Sequence, residues 1–269
     1  MHLVWSEAST GNLEIHHRSR DADGAWTEDR TLTNHPGASQ NPAIAMHASG
    51  EIHLVWQDEV LNPAPGSNEA GNIEIYHQRF DETATPLSPP FRVSVAQGLS
   101  QNPTLAMAPD GSVHVFWSDN RDHSPQSPSL FPSAIWYRRW LPGTGFGHEK
   151  RFCSSGVDHL NPSVTAGPDG TINVVWEDYT HGNSELYFRQ ISPSTGWDIA
   201  KTRLTETIGA TRGPAIISDP EGDLHLVWSD TGAGEEPSIR YRAGRVDSTT
   251  PVILSDLSAT WRNGSLRLA

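Results

Sequence analysis

Five acids stand two residues behind a recurring tryptophan: Glu7, Asp58, Asp119, Asp178 and Asp230 follow Trp5, Trp56, Trp117, Trp176 and Trp228. Carboxylates brought into a ring could hold a divalent cation such as calcium, which prefers several oxygen ligands, and Asp58, Asp119 and Asp178 are the candidate metal ligands. A residue repeated in every copy normally serves the scaffold. Arg18, Arg138, Arg189 and Arg242 recur in step with the acids and could pair with them, or the acids could cap turns. Four histidines, His2, His53, His114 and His225, lie three residues before the tryptophan, with Asn173 in the remaining copy. Imidazole clusters bind zinc and similar ions. Positions spread symmetrically around a ring are too far apart for one ion, so hydrogen bonding between neighbouring repeats is expected of these histidines.

A ligand without rotational symmetry must be gripped by residues that differ between copies. His35, Asp158, His159 and Arg212 meet that condition. Asp158 beside His159 could orient an imidazole or share a metal, His35 could carry a proton as acid or base, and Arg212 could stabilise an anion. Gln40 and Gln101 occupy connecting segments of the same kind and could bind a polar ligand. Trp136 and Trp140, with Phe131 and Phe146, crowd the third repeat and could supply stacking surfaces, although part of this cluster must be core.

The elements that position these residues come from self-similarity. NPAIAMHASGEIHLVWQDE, from Asn41, returns as NPTLAMAPDGSVHVFWSDN from Asn102, NPSVTAGPDGTINVVWEDY from Asn161 and GPAIISDPEGDLHLVWSDT from Gly213. A fifth copy is entered halfway as HLVWSEA, and the marker tryptophans are spaced 51 to 61 residues apart. Each copy opens on Asn-Pro or Gly-Pro, runs through a short apolar strand and turns at Pro-Asp-Gly or Ala-Ser-Gly, a hairpin signal. An alternating second strand follows, in which His53 and Val55 face one side and Leu54 and Trp56 the other. The third strand reads NLEIHHR, NIEIYHQR, AIWYRR, ELYFR and SIRYR, and the fourth RTLTN, FRVSV, KRFCS, TRLTE and TPVILS. Four strands per radially repeated unit describe an all-β propeller, here one domain over residues 1–269 with five blades. Connections from fourth to first strand and from second to third would emerge together around the mouth of a central channel. The second set is long at 57–72 and 118–134, which would build a wall beside a pocket.

The chain begins on a second strand, and Ser258 to Trp261 align with a first strand and Leu266-Arg267-Leu268 with the start of the next. The simplest closure pairs Ser258–Trp261 beside the strand of Trp5 and leaves no open edge, in a monomer or a strand-exchanged dimer. The alternative is a longer propeller with an incomplete sixth blade.

Composition narrows the partners. A net charge of −13 repels phosphate backbones and excludes nucleic acid as the expected partner, and no apolar run approaches the roughly 20 residues of a membrane span. Cys153 is the single cysteine, which excludes an internal disulfide and a cysteine-rich zinc site. Met1-His2-Leu3-Val4-Trp5 carries no secretory pattern in the chain as it stands.

The repeats resemble the sialidase-type propellers with BNR or Asp-box repeats, most clearly over residues 41 to 60, 71 to 79, 102 to 119 and 161 to 189. The resemblance implies a propeller, a glycan or similar small polar ligand, and a secreted or periplasmic protein. The Asp box survives only in part, as Ser19, Asp21, Gly24 and Trp26 and as Gly196-Trp197. Phe91-Arg92-Val93-Ser94 is similar to the family's Phe/Tyr-Arg-Ile-Pro motif but lies where other repeats carry an ordinary fourth strand, so the sialidase mechanism is not carried over. The expected function is a glycan-binding module using the channel-mouth face. The alternatives are a hydrolase of esters, phosphoesters or glycosides, metal-dependent through calcium or zinc, or a repeat fragment without its own ligand.

Overall fold

In the computed structural model, residues 1–8, 11–60, 71–96, 98–121, 133–153, 156–194, 196–197, 200–232, 237–244, 255–257, 259–262 and 265–268 are described, without the side chains of 197 and 255–268. Phe131 and most of the two long loops lie outside this set. The described residues form strands and turns only, and none of them belongs to a helix long and apolar enough to cross a membrane.

The strands gather into antiparallel sheets, one per repeat. The first blade holds β1 (His2–Glu7), β2 (Glu14–Ser19) and β3 (Arg30–Thr31). The second holds β4 (Gln40–Met46), β5 (Ile52–Val60), β6 (Asn72–Phe80) and β7 (Phe91–Arg92). The third runs through β8 (Ser100–Met107), β9 (Val113–Asp119) and β10 (Ala134–Leu141), with β11 (Gly145–Phe146) and β12 (Lys150–Cys153) both paired to β10. The fourth repeats this plan in β13 (His159–Ala166), β14 (Ile172–Asp178), β15 (Glu185–Ser192), β16 (Gly196–Trp197) and β17 (Thr202–Arg203). The fifth is β18 (Thr211–Ser218), β19 (Leu224–Asp230), β20 (Ser238–Gly244) and β21 (Ser255–Leu257). First strands of successive blades lie side by side, β4 by β8, β8 by β13 and β13 by β18.

Each first strand begins with a bulge, and the sequence says why. Register shifts between Gln40 and Ala43, Gln101 and Thr104, Leu160 and Ser163, and Arg212 and Ala215. Asn41, Asn102, Asn161 and Gly213 take φ of 50°, 53°, 51° and 59° there. Asparagine and glycine tolerate the left-handed region, and the proline that follows lacks the N–H the broken ladder would leave unused.

The core lies between blades rather than within one. Trp56 packs with Ile15, Ile52, Leu54 and Phe80 between the first two blades. Trp117 packs with Val55, Ile75 and Val93 between the second and third, Trp176 with Phe116, Tyr137 and Phe152 between the third and fourth, and Trp228 with Val175, Leu186 and Leu204 between the fourth and fifth. The first three marker tryptophans of this series are fully buried.

One expectation about the scaffold needs correction, and a second, the closure by Ser258–Trp261, is not met among the described residues, which leave out Ser258. The recurrent arginines do not pair with the recurrent acids. Arg138 Nη1 donates to the Val93 carbonyl at 2.6 Å, Arg189 Nη1 to the Phe152 carbonyl at 2.8 Å and Arg242 Nη1 to the Leu204 carbonyl. Each therefore fastens its blade to the fourth strand of the blade before. At the C-terminus, β22 (Ala259–Arg262) pairs with β23 (Ser265–Leu268), Arg262 opposite Ser265, and among the described residues β1 pairs only with β2.

Candidate functional site

The acid two residues after each tryptophan is consumed first by its own blade. Trp56 Nε1 donates to Asp58 Oδ2 at 2.9 Å and Trp117 Nε1 to Asp119 Oδ2 at 2.9 Å. Ser39 and Ser100 hydroxyls reach the same oxygens at 2.7 and 2.8 Å. The turn beyond is capped by the other oxygen, through the N–H of Arg121 on Asp119, Thr180 on Asp178 and Gly232 on Asp230 at 2.8 to 2.9 Å. Asp119 and Asp178 are thus buried caps and Asp58 a buried partner of Trp56 and Ser39, and among the described residues the three are not in the group whose ligand atoms could share one ion.

What changes from blade to blade is the basic side chain that meets this acid. In the second blade His35 Nδ1 stands 3.4 Å from Asp58 Oδ1, an oxygen with no hydrogen bond among the described residues, and its ring meets Tyr76 edge-on at 5.4 Å. In the third, Arg121 Nη2 donates to Asp119 Oδ2 at 2.6 Å and its guanidinium lies 4.0 Å from the Trp136 ring centre, with Glu149 on its far side. In the fourth, Lys201 Nζ donates to Asp178 Oδ2 at 2.6 Å and sits 4.5 Å over Tyr187. Burial works to raise the Asp178 carboxyl, but hydrogen bonds from His159, Lys201 and Thr180 overcome it and hold it well below the usual carboxylate range. Each corner is a buried carboxylate, a basic side chain and a third-strand ring. The three basic side chains come from three unrelated places in the repeat.

Along the line where the first strands meet, side-chain amides form a chain. Asn41 Nδ2 donates to Asn102 Oδ1 at 3.0 Å, and Asn102 Nδ2 to Asn161 Oδ1 at 2.8 Å. Gln57 and Glu177, each directly after a marker tryptophan, accept from Asn41 and Asn161 at 2.9 Å. Sequence reasoning missed this line, although the recurrent Asn-Pro was its signal.

A second tier of carboxylates lies at the start of the third strand. Glu74 accepts from Arg92 at 2.7 Å, from the Ala96 N–H at 3.0 Å and from the Ser94 hydroxyl, and burial still pushes its carboxyl up. Glu14 and Glu185 repeat the pattern with Thr33 and Thr205. Arg92 is accounted for as the partner of Glu74. In the third blade Ala134 replaces this glutamate, and the matching Arg151 is exposed beside Trp136, 5.6 Å from its ring centre.

The asymmetric candidates separate. His159, expected in a mouth loop, is a fully buried strand residue standing where the second and third blades have Ser39 and Ser100. Its Nδ1 lies 3.1 Å from both Asp178 Oδ2 and Trp176 Nε1. Asp158, just before the strand, accepts from the Ser133 N–H at 2.8 Å. Arg212 is exposed and Gln40 and Gln101 are half-buried near the bulges. Trp140 belongs to the other end of its strand, where it packs against His53 at 4.7 Å. His35 is brought instead to buried Asp58, an acid–imidazole pair that sequence reasoning did not join.

The recurrent histidines occupy that other end and bond within a blade rather than between blades. His2 meets His17 at 3.0 Å, His53 meets His77 at 2.9 Å, and His114 and His225 meet Tyr137 and Tyr241 hydroxyls at 2.9 and 2.7 Å. Burial lowers His53 to about 4 and His77 to about 3. Among the described residues, the ligand atoms close enough to share one ion belong to Glu7, His16 and Asp29, within 4.8 Å of one another in the first blade.

No protein-family profile matches the sequence, and no curated protein sequence is similar to it. Its fold is shared with solved structures at low identity. A protein of unknown function from Dyadobacter fermentans aligns at TM-score 0.60 and 13% identity, over 86% of this chain and 68% of the other. The Hadza microbial sialidase Hz136 aligns at 0.55 and 14%, over 92% of this chain and 53% of the enzyme. A polysaccharide lyase of family PL25, an ulvan lyase bound to -[GlcA(1-4)Rha3S]-, aligns at 0.55 and 14%, over 90% and 65%. The chain therefore spans between about half and two-thirds of the length of these enzymes. The likeness is to the propeller-like fold of glycan-processing proteins.

Proposed function

We propose that this chain is a carbohydrate-binding propeller whose ligand lies on the face carrying the His35, Arg121 and Lys201 corners. The observation behind this reading is the contrast within those corners. Tryptophan and carboxylate are constant and structural, whereas the basic group is different at each of the three corners and the ring is tyrosine at two and tryptophan at one, as a ligand without symmetry requires. Rings, guanidinium and amide groups together suit a sugar, whose C–H faces pack on aromatics and whose hydroxyls and acidic substituents take charge-assisted hydrogen bonds. Exposed Arg151 and Arg212 and half-buried Gln40, Gln101 and Trp136 flank the corners and belong to the proposed surface. Exposed Arg212 can take one acidic substituent, whereas the net charge of −13 weighs against a polyanionic glycan. The reading keeps four-stranded blades in a ring, with the C-terminal hairpin opening a further blade. Calorimetric titration with acidic and neutral oligosaccharides tests it, acidic ones being expected to bind and Arg212→Ala to weaken them.

A second reading, hydrolysis, rests on the His35–Asp58 pair. Asp58 is buried and backs a part-exposed imidazole, the arrangement of a general acid–base. Turnover of aryl glycosides that disappears in His35→Ala while binding persists would establish it.

A further inference from the structure

The end of the blades away from those corners carries a series of plugs. At the ends of the third strands, Phe80 is the last residue and Trp140 and Ile191 are next to last, and they stand opposite Ile52, Val113 and Ile172 in the matching registers. Between the second and third blades Trp140 fills the gap. Its ring lies edge-on to His53 at 4.7 Å and takes the Arg79 guanidinium at 5.4 Å. Between the third and fourth blades the counterparts of His53 and Arg79 are His114 and Arg139, but the residue facing them is Ile191. A cleft of about 610 Å³ opens there, lined by His114, Tyr137, Arg139, Leu141, Ile172 and Ile191. That volume is in the range of small-molecule sites, and an apolar wall facing a few polar groups is their usual make-up.

We infer that this inter-blade cleft is a second binding site, distinct from the glycan face, and that it takes a small molecule with a flat aromatic ring. The neighbouring interface is the template. The surroundings that hold the Trp140 ring recur around the cleft among the described residues, with Ile191 at the position of that ring. A bound aromatic would lie on Ile191, present its edge to the His114 imidazole and take Arg139 on its face, the geometry that aromatic and cation–π contacts favour. Asp110, at 2.9 Å from Arg139, holds the guanidinium at the rim as Glu51 holds Arg79 at 3.0 Å. Lys150 and His148 line the same opening, so a ring bearing a carboxylate fits better than a cationic one.

The test uses indole and indole-3-acetate as probes on the full chain, read by calorimetry and by the shift in melting temperature. Both should bind, the acid more tightly. Ile191→Trp should remove the binding and raise the melting temperature, because the chain then supplies its own plug. Arg139→Ala, at a solvent-exposed rim, should weaken binding about tenfold with the fold intact. Binding that survives Ile191→Trp would place the ring elsewhere and overturn the proposal. An unchanged melting temperature in Ile191→Trp together with no binding to the wild type would overturn it too, by showing that another side chain already fills the space.

Discussion

His159 Nδ1 lies 3.1 Å from Asp178 Oδ2, in the place where Ser39 and Ser100 hydroxyls meet Asp58 and Asp119 in the neighbouring blades. The imidazole is a scaffold residue built from a different chemical group. As an Nδ1–H tautomer it donates to the carboxylate as the serine does, and as an Nε2–H tautomer it takes the Trp176 indole proton. His159→Ser should therefore fold with near wild-type stability. His159→Ala leaves buried polar atoms short of a partner and should cost about 1 to 3 kcal/mol in equilibrium denaturation. Equal losses in both variants would mean that the imidazole itself is required.

The His53–His77 pair sets a pH dependence with a definite sign. Two imidazoles 2.9 Å apart share one hydrogen bond only if one of them stays neutral, and burial lowers them to about 4 and about 3. Below the ordinary histidine value of 6.5 the unfolded chain binds protons that the folded one refuses. The stabilisation is complete above pH 6.5 and drains away as pH falls through 6.5 toward 4, with a slope of up to about 1.4 kcal/mol per pH unit for each histidine. His77→Tyr, which copies the His114–Tyr137 arrangement, should flatten that slope in chemical denaturation at stepped pH. An unchanged slope would assign the acid sensitivity to other groups.

The arginine staples predict coupling between neighbouring blades. Arg189→Ala would strip the Phe152 carbonyl of a donor 2.8 Å away and should destabilise by about 1 to 3 kcal/mol. Arg18, exposed in the first blade, makes no such bond among the described residues, so Arg18→Ala should shift stability by about 0.5 kcal/mol or less. Similar losses at both positions in thermal melts would contradict the staple.

Repetition made the fold legible and the site obscure. Strand order, hairpin turns and the tryptophan core follow from alternation and turn chemistry, which one sequence displays without its partners. The hydrogen-bond partners of repeated residues were not legible, since spacing along the chain says nothing about which blade a guanidinium reaches. Arg138 was matched to an acid in its own repeat and bonds the carbonyl of Val93 instead. His159 looked like a departure from the repeat because its side chain differs, yet it fills the serine position. The basic side chains of the corners could not be aligned at all, because His35, Arg121 and Lys201 arise at three different points of the repeat and meet their acids only in space.

The central claim is that a carbohydrate is held at the corners by residues that repetition does not demand. The most direct measurement is the affinity of the wild type and of His35→Ala/Arg212→Ala for an acidic oligosaccharide, with melting temperature recorded alongside. Both positions are at least partly open to solvent, so the double variant should melt within a few degrees of the wild type. It should bind at least about tenfold more weakly, the loss of roughly one charge-assisted hydrogen bond. Unchanged affinity in that variant, with affinity lost instead in Ile191→Trp, would move the carbohydrate site to the opposite end of the blades and contradict the account.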